Sequence, residues 1–275
     1  MGIAARIQLA PATASGRRAA GGPGALAALL VVAVLAWVAT TVRMAGMDAG
    51  PGTDPGSLGF YLSTWTVMMA AMMLPSAAPA VLAYRDTASR GEKVTATAWF
   101  AAGYLVLWAA SGLVGYALLE AGRSLAPGAL AWDRGGRWVA AGVLVLAAAY
   151  ELTPAKRACL TRCRGRRPDG PAAGRRGPAS ALSAGVGYGG WCLGCCWAMM
   201  AALFALGAMS LVWMALITVL VGAQKLLPWT RATMVGSALF LLVLAVGLAV
   251  AASSVPGLTV PGGGSAMHMM MSSGA

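Results

Sequence analysis

Charge is scarce in this chain: 10% of its 275 residues are Asp, Glu, Lys or Arg, against 59% hydrophobic. That balance excludes a soluble domain, which needs far more polar surface to meet water. No P-loop or phosphorylation domain is present, so a primary ATP-driven pump is excluded unless a partner supplies the energy. No convincing small-x-small exit site follows the first apolar run, and a cleavable signal peptide is not expected. No internal repeat has a period that can be defended. What the chain does have is hydrophobic length.

A helix needs roughly 17 to 25 apolar residues to cross a hydrocarbon core of about 30 Å. Seven such runs lie near 24–42, 60–83, 95–119, 137–152, 184–206, 208–224 and 230–251, the fifth and sixth sharing a turn near Gly207. The expected fold class is all-α, a polytopic transmembrane helical bundle of about seven spans in the inner (plasma) membrane. Residues 24–251 form the transmembrane domain, and residues 1–23 and 252–275 are tails with too few anchors to be ordered. Cytoplasmic loops carry the excess of Lys and Arg. With a cytoplasmic N-terminus, sixteen of the twenty fall inside, and only Arg43, Arg123, Arg134 and Arg137 fall outside. The formal net charge of +12 is thus mostly a mark of topology, and the bilayer rather than nucleic acid is the expected partner. Trp99 and Trp229 near inner ends, and Trp132 and Trp138 near an outer one, agree with this orientation. The one long loop, 153–183, is cytoplasmic and basic. It opens with Thr153 placed to cap a helix whose first residue is Pro154, and continues as a Gly/Pro/Arg linker through Pro178 suited to anionic headgroups.

Sulfur is concentrated where lipid is expected. The segment Cys192-Leu-Gly-Cys-Cys-Trp-Ala-Met-Met200 places Cys192, Cys195, Cys196 and Met199 at i, i+3, i+4 and i+7, one stripe of a helix. Soft donors gathered this way suit Cu(I), or alternatively Zn(II). The second span carries Met68, Met69, Met72 and Met73, paired at i, i+4 on adjacent faces, ahead of Pro75 and Pro79. Those prolines free backbone carbonyls and predict a kink. At about 1.5 Å per residue both sulfur sets reach mid-membrane, so spans two and five, if neighbours, share one pocket. Two other readings stay open: methionine and buried cysteine as packing residues, and thiol redox work by the cysteines. Gly185, Gly187, Gly189, Gly190 and Gly194 permit close helix approach.

Further donors lie on either side. Cys159 and Cys163 stand at i, i+4 on the expected inner-surface helix among Lys156, Arg157, Arg162 and Arg164, where neighbouring cations favour thiolate. They are read as a loading or unloading station for the ion, or as two surface cysteines of no consequence. In the C-terminal tail, Met267-His268-Met269-Met270-Met271 holds the single histidine, with His268 a weak copper donor that Met44 and Met47, beside Asp48 in the first outer loop, can join. Glu120, Glu151 and Lys225 are read as span-end residues reaching water.

Several of these segments together resemble an uncharacterised bacterial family of predicted metal-binding integral membrane proteins. The residues that carry the resemblance are Met44-Ala-Gly-Met-Asp48, Trp65 with Met68 to Pro75, Glu151 through Leu160 with Cys163, Cys192 to Met200, and Trp213-Met214. The resemblance implies a multi-span helical protein with a metal site and copper handling as its task, and it implies no established reaction. Gln224 departs from the acidic residue expected before Lys225. The reading is a protein that binds Cu(I) for copper transport, delivery or homeostasis, with a metallochaperone or a membrane complex as partner and no catalytic residues. The alternatives are a membrane thiol-disulfide oxidoreductase using Cys192 with Cys195 or Cys196, and a non-catalytic scaffold.

Overall fold

The computed structural model of the protein describes residues 22–45, 56–125, 135–164, 177–207 and 210–251. The expected tails, the linker before Gly177, Trp132, Met47, Asp48 and His268 with its methionines lie outside the described residues. The described residues form eight α-helices: α1 (Gly22–Met44), α2 (Leu58–Arg85), α3 (Lys93–Leu125), α4 (Arg137–Glu151), α5 (Pro154–Arg164), α6 (Pro178–Leu206), α7 (Leu211–Leu226) and α8 (Thr230–Ala251). Among the described residues there is no strand.

Local chemistry sets the ends. Ser57 caps α2 by accepting the Phe60 N–H, and Thr153 caps α5 by accepting the Lys156 N–H at 3.2 Å. Pro154 and Pro178 open α5 and α6, where a missing N–H costs nothing. The α6 to α7 turn runs through Gly207 at φ 106°, a backbone state that disfavours any side chain. Helix α2 continues through both Pro75 and Pro79 without a break.

Five helices, α1, α2, α3, α6 and α8, are long and apolar enough to cross a membrane. The other three differ from simple spans. Helix α7 has 16 residues and α4 has 15, roughly 22 to 24 Å of helix each and short of a bilayer's hydrocarbon core. Helix α5 turns away from α4 by 67°, so the two together form a bent sixth candidate.

Helix α3 packs most extensively on α6, α1 on α2, and α4 on α8. The α3–α6 pair is the closest. A Cβ at Gly103 would stand 2.1 Å from the Leu182 carbonyl oxygen, and one at Gly185 2.1 Å from that of Phe100. Backbone touches backbone here because neither helix carries a side chain at the crossing. Gly189 against Leu107 and Gly194 against Cys159 are tight in the same way, whereas Gly187 and Gly190 face open space. The glycine-rich segment therefore serves close approach at three of its five positions.

Candidate metal centre

Four of the five cysteines converge. Cys192, Cys195 and Cys196 are fully buried near the middle of α6, and Cys163 of α5 is buried beside them. The Cys195 thiol points back to its own helix, 3.2 Å from the Cys192 carbonyl, and its sulfur lies 3.4 Å from that of Cys196. Cys163 is buried against α6, its thiol 3.6 Å from the hydroxyl of Tyr188, about one helical turn before Cys192. All five cysteines are free thiols.

Two neighbouring groups complete the surroundings of Cys192. The Tyr104 hydroxyl of α3 lies 3.0 Å from its sulfur. The Lys225 ammonium, from the last turn of α7, lies 2.9 Å from the same sulfur and 3.1 Å from the Ser76 hydroxyl of α2. Lys225 is buried, which corrects its reading as a span-end residue reaching water. The reason is the face it stands on: in the last turn of α7, Gln224 and Lys225 point into the bundle, toward Glu151 and Cys192, while Leu226 and Leu227 are exposed.

Glu151 needs the same correction. It closes α4 in a fully buried position, where its carboxylate accepts from Lys156 at 2.7 Å and from the Gln224 amide at 2.6 Å. Lys156, also fully buried, donates in addition to the Cys195 carbonyl, and Gln224 to the Ser237 hydroxyl at 2.9 Å. Gln224 supplies a donor to Glu151 where a second acid would repel it. Glu120 behaves as expected, exposed and 3.4 Å from Arg123.

Helix α5 is exposed on one face and packs the other on α6. Its C-terminal Arg164 donates to the Gln224 carbonyl at 3.2 Å, to the Leu227 carbonyl at 2.6 Å and to Thr230, while Arg162 stacks over Trp191 at 4.2 Å. Lys156 and these contacts draw the helix onto α6, and the two cysteines separate in role. Cys163 joins the cluster; Cys159, partly buried, rests on Gly194.

The methionines lie in the same core as the thiols. Met68, Met69, Met72 and Met73 of α2 and Met199 of α6 are all buried, and Met44, the last residue of α1 rather than part of a loop, is buried too. Helices α2 and α6 do not approach closely along their backbones; side chains join them at two levels. One is the Trp65–Phe204 ring stack, 5.2 Å between centroids, with the Trp65 indole donating to the Trp108 carbonyl at 2.8 Å. The other is the Ser76–Lys225–Cys192 bridge. Met69, Met72 and Met73 fall between Trp65 and Ser76 along α2, and Met199 between Cys196 and Phe204 along α6. Met72 is one helical turn, about 6 Å, from Ser76 on the same face.

Among the described residues no three Cys, His, Asp or Glu side chains are already arranged to hold an ion; the thiols contact one another and Lys225 instead. The donor set nonetheless suits a thiophilic one. A tetrahedral ion with sulfur bonds of about 2.3 Å holds its sulfurs roughly 3.8 Å apart, near the Cys195–Cys196 separation. Carboxylate is withheld from the thiols by its pairing to Lys156, which leaves soft donors alone in a water-poor core.

Sequence reasoning missed Tyr104, Ser76, Lys225, Glu151 and Lys156 as parts of this centre. An intramembrane charge is the signal that points to Glu151 and Lys225, which stand near the ends of apolar runs, whereas Lys156 stands in a basic stretch and reads as a cation beside Cys159 and Cys163.

The fold and this sulfur-rich core define an all-helical protein with several membrane-length helices. A protein-family description, PpoB2, copper chaperone, matches residues 62–249, more than half of the chain, and the chain belongs to that family. Comparison with curated proteins finds no match, and neither does comparison with solved structures.

Proposed function

We propose that this protein is a seven-span membrane copper chaperone with a cytoplasmic N-terminus, in which Cu(I) is the cargo and Cys163, Cys192, Cys195 and Cys196 are its ligands. The observation that carries this reading is the meeting of four thiols from two helices in a core that membership of a copper chaperone family leads one to search for metal. Met72, Met73 and Met199 supply thioethers at neighbouring depth, along which an ion leaving the thiols can pass. Met68 and Met69 extend that series toward the other end of α2. Cys159 and His268 are accessory donors in this reading, Cys159 from its position against Gly194. The short α7 and the bent α4–α5 pair count as spans in this topology because α7 is apolar throughout its length and the pair is apolar enough when taken together. Zn(II) is the competing ion for a thiol set.

Metal analysis of detergent-purified protein tests the proposal. Wild type reconstituted with Cu(I) is expected to hold roughly one copper per chain, and a Cys192→Ala, Cys195→Ala, Cys196→Ala variant to hold almost none. Equal copper in the two samples would remove the centre.

A further inference from the structure

Buried polar side chains are paired at one end of this bundle and unpaired at the other. Around the thiols, Ser76, Glu151, Lys156, Gln224 and Ser237 all have partners. Five buried side-chain nitrogen or oxygen atoms have no hydrogen-bond partner among the described residues, and four of them belong to Tyr61, Thr64, Trp108 and Trp213. The fifth, on Arg85, is at the far end of α2. Each of the four residues is at most 4% exposed.

Contacts place these four at one level. Tyr61 and Thr64 lie in the first two turns of α2, and Trp213 in the first turn of α7. The Trp65–Phe204 stack joins that part of α2 to the end of α6, from which α7 follows after a short turn, and the Trp65 indole donates to the Trp108 carbonyl. Counting back equally along α2 and α7 from the Ser76–Lys225 contact reaches Thr64 and Trp213 together. Buried donors left unpaired in a membrane-spanning core are costly. A metal ion does not relieve them, because an indole N–H only donates. A water oxygen accepts from the indoles, and its hydrogens and second lone pair serve the hydroxyls.

We infer that the first turns of α2 and α7, with Trp108 of α3, enclose a water-binding vestibule through which the cargo ion passes between the outer surface and the thioethers of α2. The inference rests on the copper reading and topology above and names the side on which the site opens. Sequence order gives the water its use. Tyr61, Thr64, Met68, Met72 and Ser76 follow at i, i+3, i+7, i+11 and i+15, one stripe of α2. The stripe runs from unpaired hydroxyls, through two buried thioethers, to the hydroxyl that meets Lys225 beside Cys192. Water at its start lowers the cost of bringing a cation into the bundle, and Met68, one turn beyond Thr64, is the first soft donor the ion meets.

The test uses the full-length detergent-purified protein and a cationic methanethiosulfonate reagent, with labels beyond those on the native cysteines counted by intact mass. Thr64→Cys sets a thiol of similar size on the stripe. Val38→Cys sets one on the exposed face of α1, as far from Met44 at the end of α1 as Thr64 is from Leu58 at the start of α2. Thr64→Cys is expected to react at least about 10-fold faster than Val38→Cys, because a thiol must ionise to react and does so in water rather than under detergent. A second measurement needs no label. Thr64→Val is expected to leave the unfolding midpoint unchanged or lower, whereas removing a dry, unpaired hydroxyl raises it. Equal labelling rates, or a raised midpoint in Thr64→Val, overturn the vestibule. The route is read from copper-loaded Thr64→Cys, which after labelling is expected to yield its copper to a water-soluble chelator on the order of 10-fold more slowly than before; an unchanged rate overturns the route. Failure of wild type to bind Cu(I) overturns the copper reading instead, and the labelling and unfolding results still decide whether the vestibule holds water.

Discussion

The carboxylate of Glu151 lies 2.7 Å from the ammonium of Lys156, and neither side chain reaches solvent. The pair straddles the bend between α4 and α5, and Lys156 continues from it to the Cys195 carbonyl. A buried charge that loses its partner is costly, by about 3 to 5 kcal/mol, whereas replacing both charges by apolar groups is often close to neutral. Lys156→Met alone is expected to destabilise by that amount, and Glu151→Leu with Lys156→Met by clearly less than the two single losses combined. Thermal unfolding of the single and double variants in detergent checks this. Additive losses would show that the two residues do not act as a pair.

Cys163 and Cys159 are four residues apart on one helix, yet Cys163 is buried with its thiol on Tyr188 while Cys159, partly buried, rests on Gly194. Cys163→Ser is expected to weaken Cu(I) binding by at least about 10-fold, a loss that even residues outside a metal's direct ligands commonly cause. Cys159→Ser is expected to leave it nearly unchanged. Competition against a Cu(I) chelator of known affinity measures both. Loss of affinity in Cys159→Ser with none in Cys163→Ser would reverse the assignment.

The glycines divide by what surrounds them. Alanine at Gly103 or Gly185 would drive a methyl group into a neighbouring carbonyl oxygen, and backbone cannot swing aside as a flexible side chain can. Each change is expected to cost more than the roughly 1 to 3 kcal/mol of ordinary overpacking. Alanine at Gly187 or Gly190 meets nothing and is expected to be neutral or slightly stabilising, by up to about 1 kcal/mol from helix propensity. Unfolding midpoints of the four variants separate the two groups. Equal tolerance at Gly185 and Gly187 would show that the α3–α6 crossing is not set by close contact.

Hydrophobic run length alone located most of the helices: the runs at 24–42, 60–83 and 230–251 correspond to α1, α2 and α8 within a few residues. The cysteine stripe was legible as well, because helical spacing fixes which residues share a face before any partner is known. What spacing could not supply was where a helix stops in depth. Residues 211–226 and 137–151 are apolar enough to look like spans, so Lys225 and Glu151 looked like residues at a water boundary; in the fold each points inward from a helix end whose next residue is exposed. Cys163 was misplaced for a related reason. Its helix has the composition of a solvated surface, rich in Arg and Lys, but Lys156 is neutralised from α4 and Arg164 is held by the α7–α8 turn. Those partners are distant in sequence and leave no local pattern.

Because α5 bends away after Glu151, the thiols are covered on that side by an eleven-residue helix and not by a through-going span. It is held by the burial of Leu160 in the core and the packing of Cys159 on Gly194, and by one ion pair with its carbonyl contact, one thiol–phenol contact, one arginine stack and one arginine clasp at a turn. That cover meets α4 at a 67° bend through Leu152 and Thr153. The α3–α6 seam takes no part in it, so the two features of the bundle are built from separate residues.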